Sequence, residues 1–132
     1  MDFIIDNQIL IWSIIAPHKL SSKVKDILEN NAIAVSQISL YEIAIKQKIG
    51  KLPELKLSIS DLIKCLLKDD FEVLVLKNAH IEAYEEIQLV DDHRDPFDRL
   101  LLATSLSENI PIISADEKFK GYVSQIRLIE NI

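Results

Sequence analysis

Four carboxylates set the chemical question posed by this sequence: Asp6, Glu42, Asp98 and Asp116. Brought close together, such groups repel one another and take up protons unless a cation neutralises them. Oxygen-only donors suit Mg²⁺ or Mn²⁺ rather than zinc. Ions of that kind orient a water, lower its pKa and stabilise a phosphodiester during in-line displacement. A metal-dependent nuclease or phosphatase is therefore the chemistry to look for. The densest signal is His93-Arg94-Asp95-Pro96-Phe97-Asp98-Arg99, which runs straight into the apolar Leu100-Leu101-Leu102-Ala103.

The elements around these acids decide whether they can meet. Phe3-Ile4-Ile5 reads as a strand ending at Asp6, with a helix following through Trp12. Ser21 to Asn30 reads as a helix, Ile33-Ala34-Val35 as a strand, and Ile38 to Ile49 as a helix closed by Gly50. Ser58 to Lys68 is helical, Glu72 to Leu76 a strand, and Ala79 to Ile87 and Pro96 to Glu108 are helices. Ile112-Ile113 and Ile126-Arg127-Leu128 are short strands. The strands are continuously apolar, as in a parallel sheet covered on both faces. Their alternation with helices predicts an α/β fold: a three-layer α/β/α sandwich around a mostly parallel sheet of about five short strands. Ligands of such folds gather beyond the carboxyl ends of the strands. Asp6 follows its strand directly and Asp116 follows Ile112-Ile113 through Ser114-Ala115, while Glu42 and Asp98 lie in early turns of their helices. All four can converge on one edge.

Each acid also has a structural reading. Asp6 can be the N-cap of the first helix. Glu42 can close a capping box with Ser39, or pair with Lys46 at i+4. Asp95-Pro96 reads as an N-cap followed by Pro at N1, which makes Asp98 an acid favoured by the helix dipole. Asp116 can cap the turn Glu117-Lys118-Phe119. Capping and metal binding place carboxylates at the same helix ends, so the two are compatible. Asp69-Asp70, Glu85-Glu86 and Asp91-Asp92 read as solvated faces. His93 reads as a hydrogen-bonded loop histidine, with a ligand or acid–base role as its alternative. His18 and His80 give no signal, Trp12 reads as core or interface, and Cys65 as a small buried hydrophobe. Arg99 reads as structural. Arg94 is open between steadying a phosphate and pairing with acids.

The 132 residues suit a single domain, 1–132. Only 2 Gly and 4 Pro among 48% hydrophobic residues indicate a helix-rich fold with short connections. The lone Cys65 excludes an internal disulfide and a Cys-based zinc site. Met1-Asp2-Phe3 has no basic n-region and its apolar run breaks at Asp6, so no signal peptide is expected. No run approaches membrane-spanning length, and a cytoplasmic setting without membrane attachment is expected. The net charge of −6 argues against gripping nucleic acid by bulk electrostatics. It leaves room for an enzyme whose acids are neutralised by cations, with Lys46, Lys48 and Lys51 as a local basic rim.

The order and spacing of these segments resemble the PIN domains, and within them the VapC-type toxins of bacterial type II toxin–antitoxin pairs. The resemblance runs through Ile4-Ile5-Asp6, Leu10-Ile11-Trp12, Ser36 to Ile43 with Glu42, Lys46 and Gly50-Lys51-Leu52. It continues through His93 to Leu101 and ends at Ile113-Ser114-Ala115-Asp116. It implies a Mg²⁺- or Mn²⁺-dependent endoribonuclease in which Asp6, Glu42, Asp98 and Asp116 hold the metal and position the attacking water. Ser114 matches the small hydroxyl residue that often accompanies the last acid. Asp95 would stand behind the metal ligands or cap its helix. Asn7, Ser39, Lys46 and Arg94 are further candidates for supporting or substrate contacts. The residue after the first acid is often Thr or Ser in such proteins, and here it is Asn7, which can still hydrogen-bond. The resemblance also implies an RNA substrate, a small cognate antitoxin as partner and a homodimer, with Leu10, Ile14 and Ile15 as contact surface.

Two other readings compete. A catalytically degenerate PIN-like module acting through protein–protein interaction would keep the fold and lose the metal. A phosphoacceptor receiver-type domain needs an acidic pair after the first strand and a Lys at the last. Asp6-Asn7 and Ile126-Arg127-Leu128 supply neither.

Overall fold

Ile4 and Ile5 are adjacent in sequence and fully buried, yet they feed two different cores. That is the pleat of a strand covered on both sides. In the computed structural model, which describes residues 1–90 and 93–132, the strands are β1 (Phe3–Ile5), β2 (Ile33–Ser36), β3 (Glu72–Leu74), β4 (Ile112–Ser114) and β5 (Leu128–Glu130). They form one wholly parallel sheet in the order β3-β2-β1-β4-β5. The helices among the described residues are α1 (Asn7–Ile15), α2 (Ser22–Asn30), α3 (Gln37–Lys48), α4 (Ile59–Lys68), α5 (Asn78–Tyr84) and α6 (Pro96–Glu108). Short 3₁₀ segments cover Pro17–Lys19 and Glu117–Tyr122.

Ile5, Ile33, Val35 and Ile113 point to one face, where Leu10, Val24, Ile43, Leu62 and Leu66 of α1 to α4 close over them. Ile4, Ala34, Leu74 and Ile112 point to the other, against Ala83 of α5, Leu101 and Leu102 of α6, and Phe119 and Tyr122. The three-layer α/β/α sandwich expected from the sequence is what forms. No helix among the described residues is long and apolar enough to cross a membrane.

The differences from the expected elements have local causes. The last strand begins two residues late, because Ile126 N–H donates to Tyr122 O at 3.0 Å and cannot join the ladder. β3 stops at Leu74, since Leu76 N–H is taken by Gln37 Oε1 at 3.2 Å. α5 ends at Tyr84, and the chain continues to Ile87 through tighter i to i−3 bonds. Gly50 closes the helical region as expected, at φ 75, with Lys51 N–H returning to Lys46 O at 2.9 Å. Leu10 is core, so of the proposed contact residues only Ile14 and Ile15 retain exposure. Cys65 is half-buried rather than enclosed. Asp69-Asp70 and Glu85-Glu86 are exposed as expected. The pair Asp91-Asp92 lies outside the described residues.

Candidate functional site

From β1 the chain moves outward to β2 and β3, then returns to β1's other side for β4 and β5. Such a reversal opens a crevice beyond the carboxyl ends of the two central strands. Register decides what stands in it. Ile5 pairs with Ile113, and Asp6 N–H donates to Ile113 O at 3.1 Å. Asp6 and Ser114 therefore leave the sheet side by side. Ser114 Oγ donates to Asp6 Oδ2 and accepts from Asp116 N–H at 2.9 Å, linking acids from opposite ends of the sequence.

Three of the capping readings hold. Asp6 Oδ1 accepts from Ile9 N–H at 2.9 Å at the start of α1. Asp95 Oδ1 accepts from Phe97 and Asp98 N–H at 2.9 and 3.1 Å, with Pro96 as the first residue of α6. Asp116 Oδ1 accepts from Lys118 N–H at 2.9 Å. Glu42 differs. The cap of α3 is Ser36, whose Oγ accepts from Ile38 N–H at 3.1 Å, so the Ser39–Glu42 capping box does not form. Glu42 instead pairs with Lys46, Oε2 to Nζ 3.6 Å, and accepts a hydrogen bond from Asn7 Nδ2.

A cleft of about 510 Å³ is lined by all four acids, together with Asn7, Lys46, Arg94 and Asp95. Ser114 stands behind Asp6. Ser39 does not join them: it is buried within α3 and lines no part of the cleft. Residues not singled out in the sequence also face it, among them Gln8 and Lys118. Trp12 lines one wall, half-buried, with Lys19 Nζ 5.7 Å from its ring centroid. His93 is buried at the cleft floor, 3.0 Å from Asp98. Arg99 is structural, as read, donating to Ile87 O and Gln88 O at 2.9 Å each. His80, silent in the sequence, is buried between Lys77 N–H and Glu108, a clip joining α5 to α6.

The electrostatics follow from burial. Asp6 is 5% exposed, and its carboxyl is pushed up to about 6 chiefly by loss of solvation. Asp98 and Asp116 push the same way, while the hydrogen bonds from Ser114 and Ile9 oppose it. Burial also raises Glu42 against the pull of Lys46, and raises Asp98 against the hydrogen bond from His93. Three acids are thus held short of easy ionisation by one another and by the protein. Among the described residues no three side chains form a ready-made metal cage; the acids face one cleft rather than one point. The donor chemistry fits a hard divalent cation. Asn7 Oδ1 adds a buried oxygen with no hydrogen-bond partner among the described residues.

The chain belongs to the PIN domain family, which its sequence matches over residues 3–123. PIN domains are generally nucleases and generally use divalent metal ions. No curated protein sequence matches the chain. Among solved structures, the fold is similar to DNA-bound VapBC from Salmonella typhimurium, at TM-score 0.72 and 14% identity over 100% of this chain and 99% of that one. It is also similar to VapBC2 from Rickettsia felis bound to a promoter DNA fragment, at TM-score 0.68 and 17% identity over 98% of each. VapBC-5 from Mycobacterium tuberculosis, of the VapBC family of toxin–antitoxin systems, aligns at TM-score 0.62 and 16% identity over 98% of each chain.

Proposed function

We propose that this chain is a metal-dependent endoribonuclease, acting as a single PIN domain and as the toxin of a type II toxin–antitoxin pair in the cytoplasm. The observation that carries the reading is the meeting of Asp6, Glu42, Asp98 and Asp116 on one cleft at the β1–β4 crevice. Asp6, Glu42, Asp98 and Asp116 would hold Mg²⁺ or Mn²⁺, which would neutralise their charge and lower the pKa of an attacking water. Ser114 keeps Asp6 aimed, and Asn7 holds Glu42 while offering its own oxygen. Arg94, Lys46 and Lys118 line the same cleft and would steady the phosphates of an RNA strand. A cognate antitoxin is proposed on the likeness to VapBC complexes, and a homodimer on the exposure that Ile14 and Ile15 of α1 retain.

Purified protein should cut single-stranded RNA with Mg²⁺ or Mn²⁺ and stop with EDTA. Asp98→Asn and Asp6→Asn should each lower the rate by at least about 100-fold, as expected when a ligand of the catalytic ion is lost. Cleavage that persists in both variants contradicts the reading. Tight partner binding with no cleavage and no metal uptake supports the degenerate interaction module instead.

A further inference from the structure

The support of Asp98 leads away from the cleft. His93 Nε2 lies 3.0 Å from Asp98 Oδ2, and its Nδ1 lies 2.9 Å from Tyr122 Oη. Arg99 Nη1 reaches the same Oη at 3.4 Å, with the rest of its guanidinium fixed on Ile87 O and Gln88 O. Chemistry sets the direction of this chain. A carboxylate only accepts, so Nε2 carries the proton that Asp98 Oδ2 takes. The neutral imidazole then has Nδ1 as its acceptor nitrogen, facing the Tyr122 hydroxyl, which also has His93 O at 3.5 Å and accepts from Arg99. Both imidazole nitrogens are occupied, which leaves His93 no lone pair for a metal. The ring is buried, edge-on to Tyr122 at 5.4 Å and tilted against Phe119 at 5.8 Å.

We propose that His93 is the positioning residue for Asp98. Its Nε2–H anchors Oδ2, so that Oδ1, which has no hydrogen-bond partner among the described residues, is the oxygen offered to the cation. The Tyr122 hydroxyl at Nδ1 supports the tautomer that makes this possible. The assignment rests on Asp98 being a metal-holding acid. It also explains why His93, Asp98 and Arg99 share one short segment: the first and last belong to the support of the middle one.

Mn²⁺ binding to the full chain, followed by electron paramagnetic resonance with melting temperatures on the same samples, tests it. Loss of a hydrogen bond to a ligating carboxylate typically weakens metal binding by about 10- to 100-fold, and His93→Leu should raise the Mn²⁺ Kd by that much. His93→Gln, whose amide N–H can reach the same carboxylate, should restore binding close to the unsubstituted value. Tyr122→Phe should weaken binding by freeing Nδ1. A folded His93→Leu with unsubstituted affinity overturns the proposal, as does a Gln variant no better than Leu. If His93→Leu does not fold, unchanged affinity in Tyr122→Phe overturns it. Absence of Mn²⁺ uptake by the unsubstituted protein contradicts the metal reading itself, a result distinct from uptake indifferent to His93.

Discussion

Asp6 does two jobs with one carboxylate: Oδ1 caps α1 and Oδ2 takes the Ser114 hydroxyl at the cleft. Its folded-state pKa, about 6, stands above the unfolded value near 3.8. The neutral acid therefore contributes stability fully below about pH 4, and that contribution is lost as pH rises through about 6. The difference amounts to about 3 kcal/mol in metal-free protein. Asn also serves as an N-cap, so Asp6→Asn keeps the cap and removes the charge. In EDTA, urea unfolding should show Asp6→Asn more stable than the unsubstituted protein at pH 7.5, with the gap about halved at pH 5 and closing below about pH 4. Equal stability at both values would mean that Asp6 ionises without strain on the fold.

At the scale of elements, helix starts aim the acids. Asp95 satisfies two N–H groups at the first turn of α6, and Asp98 is the next acid along that turn. Asp95→Ala should cost about 1 kcal/mol, seen as a melting temperature lower by a few degrees, while Asp95→Ser should retain most of it. Much of this was legible. Asp95-Pro96 marks the helix start within two residues, and Gly50 marks a stop that only backbone freedom explains. Sequence and structure part where a local pattern competes with a long-range partner. Ser39 and Glu42 have capping-box spacing, but Ser36 at the end of β2 reaches the helix first. Leu76 looks like strand until Gln37 takes its N–H. The hold of Tyr122 on His93 spans 29 positions, and nothing local in the sequence announces it.

At the scale of the whole molecule, topology rather than proximity in sequence builds the site. β1 and β4 are neighbours only because the chain reverses its direction of sheet growth, and that reversal brings Asp6 beside Ser114 and Asp116. The sandwich and the convergence on one edge could be read from strand–helix alternation. The strand order and the 510 Å³ cleft needed three dimensions. A net charge of −6 and three acids with raised proton affinity describe a molecule whose cleft is incomplete in charge. The most direct test is a calorimetric titration of Mn²⁺ into the unsubstituted protein, Glu42→Gln and Asp116→Asn. Saturable uptake by the unsubstituted protein is expected, with at least about a tenfold weaker Kd in each variant, although the two acids come from distant parts of the chain. Undiminished affinity in both variants, or no uptake by the unsubstituted protein, would contradict the metal reading.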